Sequence, residues 1–426
     1  MSLLLKIYNK ISNDVVRRNL WQLSLSEIIS RALNFVTVIF IARHYGVENF
    51  GLLGFVGAIT FYFMYLINFG YDSYGTRETA KYDIKNASVI FNDILSIKLL
   101  SLVPSLGLLC LSGLIFFKNS NDFLFLLVYA TTLIPFSVDS QWFFLGIQRT
   151  KTIPIIRLIE SSFYFISVVI VYYFFSSALI WIPIILLLAK ILSVTYAFNI
   201  LQKLITIKLN FNWQRIKKTT SGSFAIGLSS VFALLYLNFD LILLGFFKSN
   251  YEVGIYNTAI KIYLILALPF QLIFSSFYPS LSRSYHDKSK NIYDVFPRYV
   301  KYQLTLGIVL MLFSLICSPL IINVFLGSKY SLSVLPIRIL SLNIIIVGVS
   351  FAFGNPLIAW GKQKFHTISL GAGAVLNIIL NLLFIPRYSY IGAAYSTVAS
   401  EIIVSLLLFI FFKQNFGKKV LSKKWA

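Results

Sequence analysis

The sequence predicts an all-α integral membrane protein of about twelve transmembrane helices in two six-helix lobes. Three observations carry that prediction: a strongly apolar composition, apolar runs of spanning length, and a lopsided placement of basic residues between the runs. Of 426 residues, 58% are hydrophobic and only 12% charged, with a mean hydropathy of +0.80, against about 25% charged in soluble domains. Aromatic residues make up 17%, including 40 Phe and 25 Tyr, which suits lipid-facing helices and aromatic collars at the headgroup level.

A span needs about 20 mostly apolar residues. Such runs fall near 20–42, 51–69, 91–117, 123–145, 153–175 and 179–200, and again near 222–246, 255–278, 302–326, 334–358, 366–385 and 392–412. The polar stretch between the two sets divides the chain into a first lobe over 1–200, a linker over 201–220 and a second lobe with a basic tail over 221–426. The first 20 residues place Lys6, Lys10, Arg17 and Arg18 among Leu3, Leu4, Ile7, Ile11 and Val15. That pattern has no continuous apolar core and reads as a basic amphipathic helix on the membrane surface rather than a signal peptide.

Cytoplasmic loops carry the excess of Lys and Arg. The termini and the even-numbered connections hold 26 of the 37 basic residues, and the opposite connections hold five: Arg43, Lys118, Lys248, Lys329 and Arg387. Both termini are therefore expected in the cytoplasm. The formal charge of +22 is spread over short loops rather than gathered in one patch, so no nucleic-acid partner is expected.

The halves also echo each other. Gly146-Ile-Gln148-Arg-Thr-Lys-Thr152-Ile153 follows span 4, and Gly361-Lys-Gln363-Lys-Phe-His-Thr367-Ile368 follows span 10. A weaker echo joins Asn49-Phe-Gly51 to Tyr251-Glu-Val-Gly254. Six plus six spans of like orientation imply parallel repeats about an axis along the membrane normal, a transporter plan with its site between repeats.

Three segments carry a family resemblance: Ile41-Ala-Arg43-His-Tyr-Gly46-Val-Glu-Asn-Phe-Gly51, the stretch from Phe69-Gly70 to Gly75-Thr-Arg77-Glu78, and Tyr278-Pro279-Ser-Leu-Ser282-Arg283. With them the chain resembles, over nearly its whole length, the Wzx-type O-antigen repeat-unit flippases of the multidrug/oligosaccharidyl-lipid/polysaccharide exporter superfamily. The resemblance implies a MATE-like fold with a central cavity lined by spans 1, 2, 7 and 8, and alternating access. It also implies a polyprenyl-diphosphate-linked oligosaccharide as cargo, moved across a bacterial inner membrane in lipopolysaccharide synthesis. A polysaccharide polymerase complex is an implied partner.

An ionisable residue at the bilayer centre costs about 2.5 to 3.5 kcal/mol on insertion scales, so each one is a candidate for a cavity or a partner. Arg31 lies midway through span 1 with Glu27 one turn before it, in the favourable order for an i,i+4 pair; it either lines the cavity, where its planar fork suits a diphosphate, or forms a structural pair. Arg157 and Glu160 read as a structural pair in span 5. Asp240 and Lys261 sit at matched depth on adjacent spans and are read as a pair, static or gating. Lys190 and Glu401 lie deep in spans 6 and 12 without an obvious helical partner, while Arg338, Lys98 and Asp139 lie nearer span ends, where snorkelling is the default. The cavity candidates are thus Arg31, Lys190, Lys261 and Arg338, and the candidates for coupling to H+ or Na+, or for gating, are Glu27, Asp240 and Glu401. Prolines 104, 135, 183, 269 and 319 are expected to interrupt spans, a feature common in membrane helices.

Other functions fit less well. No G-x-x-x-x-G-K-[ST] loop is present: between Gly354 and Gly361-Lys362 stand six residues, and Gln363 follows, so an ATP-driven pump is disfavoured. Cys110 and Cys317 lie in apolar runs, which supports neither a disulfide framework nor a metal site. His44, His286 and His366 lie in separate loops, so neither catalysis nor a cofactor is expected. A membrane-embedded polymerase or ligase would need acids, His or Arg in its outer loops, which here are short. Within the superfamily, a multidrug exporter of cations would favour an acidic or aromatic cavity, whereas a lipid II flippase shares the charge pattern.

Overall fold

The computed structural model describes residues 15–286 and 292–417. The N-terminal amphipathic helix lies mostly outside the described residues, and the basic tail beyond Gly417 lies wholly outside them. The helices in chain order are α1 (Val15–Asn68), α2 (Tyr71–Thr79), α3 (Ile84–Phe116), α4 (Ser120–Ala130), α5 (Leu133–Ser137), α6 (Gln141–Gly146), α7 (Thr152–Phe174), α8 (Trp181–Leu201), α9 (Trp213–Phe247), α10 (Asn250–His286), α11 (Ile292–Ile321), α12 (Val334–Ala359) and α13 (Gln363–Phe412).

Nine helical stretches among the described residues are long and apolar enough to cross a membrane. Two of these are double. Non-helical backbone at Gly46 (φ 83°) divides α1, and at Ser389 (φ 52°) it divides α13. Counting both limbs of each and adding α9 gives the twelve segments that hydropathy predicts. Helices suit this sequence because the bilayer leaves no water to satisfy a free backbone group.

Two departures from the expected spans bear on function. Span 4 is not one helix but three pieces, α4, α5 and α6, broken at 131–132 and again at 138–140. Of the flagged prolines, Pro104, Pro269 and Pro319 lie inside continuous helices. Pro183 stands in the first turn of α8, where its missing N–H costs nothing.

The described residues form two compact units, one of 15–45 with 59–231 and one of 46–58 with the described residues of 232–417. The first unit is centred on Phe91, Ile94, Trp142, Phe143, Phe144 and Leu201, with the Phe91 and Trp142 rings stacked at 5.8 Å. The second has a core of Phe296, Tyr299, Trp360, Leu408 and Phe412. Within it the weaker sequence echo becomes a contact. A Cβ on Gly51 would stand 1.7 Å from the carbonyl oxygen of Asn250, and one on Gly254 2.0 Å from that of Val47. Each echo motif thus supplies the glycine that lets the other's backbone approach.

The stronger echo forms a helix-turn-helix corner in both places, but in different registers. The left-handed residue is Gln148 (φ 60°) in the first corner and Gly361 (φ 75°) in the second. Each corner is closed by a bond from the following N–H, Arg149 to the Phe144 carbonyl at 2.9 Å and Lys362 to the Leu357 carbonyl at 2.7 Å, the 6→1 closure of a Schellman motif.

Candidate functional site

Four helices of the first unit bring polar groups to one place. Glu27 and Arg31 lie one turn apart on α1, and Arg31 Nε donates to Glu27 Oε1 at 2.7 Å. Arg157 on α7 pairs with the other oxygen of Glu27, and its Nε donates to Gln141 Oε1 at 3.0 Å. Glu160, one turn further along α7, accepts from Lys190 of α8 at 2.5 Å and from Ser193 at 3.3 Å.

The predicted Glu27–Arg31 pair is present; Arg157 and Glu160 lie near enough to interact electrostatically but form no salt bridge among the described residues. On α7 the two residues are near neighbours, but each finds a partner across a helix boundary, Arg157 towards α1 and Glu160 towards α8. Lys190, without a partner on its own helix, gains one in the same way. Such cross-helix pairs fit a span because neither charge then faces lipid alone.

These groups surround a cavity of about 250 Å³ that is also lined by Ser30, Asn34 and Ser161. The Ser30 hydroxyl is buried and has no hydrogen-bond partner among the described residues, so it has a donor to offer. Three cations face two carboxylates, leaving one net positive charge. Arg31 is the most open of them, its side chain 55% exposed against 19% for Lys190. Of the spans that the resemblance implies as lining, only the first contributes to this cavity; the others are spans 4, 5 and 6.

Lys98 is corrected outright. It is buried, 1% exposed, and bonded to Asp72, not snorkelling. Helix α3 begins at Ile84 rather than near 91, so Lys98 lies about 21 Å along it at 1.5 Å per residue. Asp139 sits at the break before α6, where its carboxylate accepts from the backbone N–H and the side-chain amide of Gln141 at 2.9 and 3.1 Å.

In the second unit the expected Asp240–Lys261 pair is absent. Asp240, 3% exposed, accepts from the Tyr256 hydroxyl and from its neighbour's N–H, Leu241, at 2.8 Å; the Tyr256 oxygen lies 3.1 Å from Thr397 Oγ1. On α10, Tyr256 and Lys261 are five residues apart, about 140° around the helix at 3.6 residues per turn. The helix that presents Tyr256 to Asp240 therefore turns Lys261 away. Lys261 is exposed and has no ion pair among the described residues, and the same holds for Arg338 on α12. Glu401, 5% exposed, accepts from Ser350 Oγ at 2.5 Å.

Residue-by-residue reading of the sequence missed Gln141. The available signal was Asp139-Ser140-Gln141-Trp142, an acidic residue just ahead of a helix start, shortly after Pro135.

With this geometry in place, the polysaccharide biosynthesis protein family model matches residues 16–285. The chain belongs to that family. A protein of Escherichia coli K12 described as a candidate O-antigen transporter is 23% identical over 417 residues, covering 96% of this chain and 98% of its own. Among solved structures, the lipid II flippase MurJ in an inward closed conformation matches with a TM-score of 0.76 at 19% identity, over 92% of this chain and 87% of its own. An inward-facing MATE family multidrug resistance transporter matches at 0.73 and 13% identity, over 96% and 100%. The structural likenesses give the chain a MATE-like multi-helix fold.

Proposed function

We propose that the chain flips a polyprenyl-diphosphate-linked oligosaccharide from the cytoplasmic to the periplasmic leaflet of a bacterial inner membrane, by alternating access and without catalysis. The observation that carries this is the cavity in the first unit, where three cations outnumber two carboxylates on membrane-spanning helices. A diphosphate crossing a low-dielectric passage is prohibitively costly unless paired, and guanidinium groups match its oxygens with planar forks of donors. Family membership and the O-antigen relative support a glycan cargo. The same surplus of positive charge disfavours a cationic drug.

Glu27 holds Arg31 and Arg157 while the site is empty. Incoming phosphate oxygens compete with it for both, and protonation of Glu27 releases them, which is a route for coupling to H+. Asp240 and Glu401 are further coupling candidates, for H+ or Na+. Both termini lie in the cytoplasm in this reading, and a polysaccharide polymerase is the expected recipient of cargo.

The test is transport of a fluorescent polyprenyl-diphosphate oligosaccharide by the purified chain in proteoliposomes. Arg31→Ala is expected to lower transport about 30-fold or more at normal protein abundance, since leaving one charge of the cargo's anion unpaired in a low-dielectric passage costs about 2 to 5 kcal/mol. Arg31→Lys keeps the charge but not the bidentate geometry and is expected to be intermediate. Wild-type rates from Arg31→Ala overturn the reading.

A further inference from the structure

Resting on that reading of the cavity, we propose that Asp139 and Gln141 form a bracket that aims Arg157 at the anionic cargo, making Gln141 a positioning residue of the transport site. The interruption of span 4 is what places the bracket. Non-helical backbone at membrane depth persists only where protein buries it or where it lines a cavity, and transporters build sites from such discontinuous helices. Here the break is covered by protein in part, with Val138 and Asp139 half-buried and Ser140 1% exposed, and the first residue after it, Gln141, lines the charged cavity.

The hydrogen bonds at the break have a fixed direction. An ionised carboxylate only accepts. Asp139 accepts the Gln141 backbone N–H through Oδ1 at 2.9 Å and the side-chain amide N–H through Oδ2 at 3.1 Å. The amide nitrogen is thereby turned towards Asp139, and the amide oxygen is left to accept from Arg157 Nε at 3.0 Å. Arg157 is then held at two edges of its planar group, by Gln141 at Nε and by Glu27 at Nη1. The two holders differ in kind. A carboxylate is displaced by phosphate oxygens that compete for the same cation, whereas a neutral amide keeps its single bond and subtracts no positive charge. Gln141 therefore keeps the guanidinium in plane while Glu27 gives way.

The experiment follows initial transport rate against cargo density in proteoliposomes, beside the melting temperature of the purified full chain. In Asp139→Asn the new side chain still accepts the Gln141 backbone N–H, but its amide N–H faces the Gln141 amide N–H. The Gln141 amide turns over and presents a donor to a donor on Arg157. Half-saturation is expected to rise about tenfold, the loss of one hydrogen bond to a charged group, with maximal rate and melting temperature little changed. Adding Gln141→Glu to Asp139→Asn restores an acceptor to Arg157, satisfies the introduced amide and keeps the summed charge of the two positions. That double variant is expected to recover part of the loss and not all of it, because its carboxylate, unlike the amide, competes with the cargo's phosphate for Arg157. Wild-type half-saturation in Asp139→Asn, a lowered melting temperature alone, or a double variant no better than the single overturns the bracket. If Arg31→Ala and Arg157→Ala also transport normally, the anion-site reading itself has failed, which separates the two failures.

Discussion

The two units handle buried charge differently. In the first, three acids meet cations, Glu27 with Arg31 and Arg157, Glu160 with Lys190, and Asp72 with Lys98, while Asp139 is held by Gln141. In the second, Asp240 meets the Tyr256 hydroxyl and Glu401 meets the Ser350 hydroxyl, while Lys261 and Arg338 are exposed. The difference has a physical consequence. Protonating Asp72 orphans the buried Lys98 ammonium, which is costly; protonating Asp240, held by the Tyr256 hydroxyl and a backbone N–H, breaks no ion pair among the described residues. The first arrangement suits holding or exchanging an anion, and the second suits taking up and releasing a small cation.

The largest effect that tests this contrast concerns stability. Asp72→Ala leaves the Lys98 ammonium buried without a counter-charge, at an expected cost of about 3 to 5 kcal/mol, seen as a lower melting temperature in detergent and lower abundance in the membrane. Lys98→Met added to Asp72→Ala removes the orphan and is expected to recover most of that loss. A first unit indifferent to Asp72→Ala breaks the contrast.

That pair also shows what the sequence made legible and what it did not. Hydropathy located the spans, and i,i+4 spacing found Glu27–Arg31, because both signals are local. Lys98 was misplaced because α3 opens with Lys85, Asn86, Ser88, Asn92 and Asp93, polar residues that hide a helix start from a hydropathy reading. Lys190–Glu160 and Asp240–Tyr256 were invisible for a different reason. They join helices, and which faces meet across a boundary is decided by packing rather than spacing. The break in span 4 was masked by the apolar side chains that flank it, although Asp139 stood two residues ahead of the next helix.

A smaller effect sharpens the second half of the contrast. Tyr256→Phe removes the hydroxyl donor from Asp240 and is expected to cost about 1 to 3 kcal/mol, the range for a buried acceptor losing its partner. Because no cation is orphaned, the loss should be smaller than for Asp72→Ala. Its clearer sign is the ion dependence of transport. A variant whose transport keeps the wild-type response to imposed H+ and Na+ gradients removes Asp240 from the coupling role.

The smallest stability effect comes from making one substitution at two lysines. Lys190→Gln withdraws the cation from Glu160, leaving it the 3.3 Å bond from Ser193 and at best a neutral amide donor in place of the ammonium, and a measurable fall in melting temperature should follow. Lys261→Gln withdraws a cation with no ion pair among the described residues, so no partner charge is orphaned and the stability loss is expected to be smaller than at Lys190. Lys261 is also a cavity candidate, so transport and stability should come apart. If it meets the cargo's phosphates, Lys261→Gln raises half-saturation at an unchanged melting temperature, and the effect shrinks as salt rises because an exposed charge is screened. Unchanged half-saturation at low salt takes Lys261 out of the cargo path and leaves the anion to the first unit's arginines.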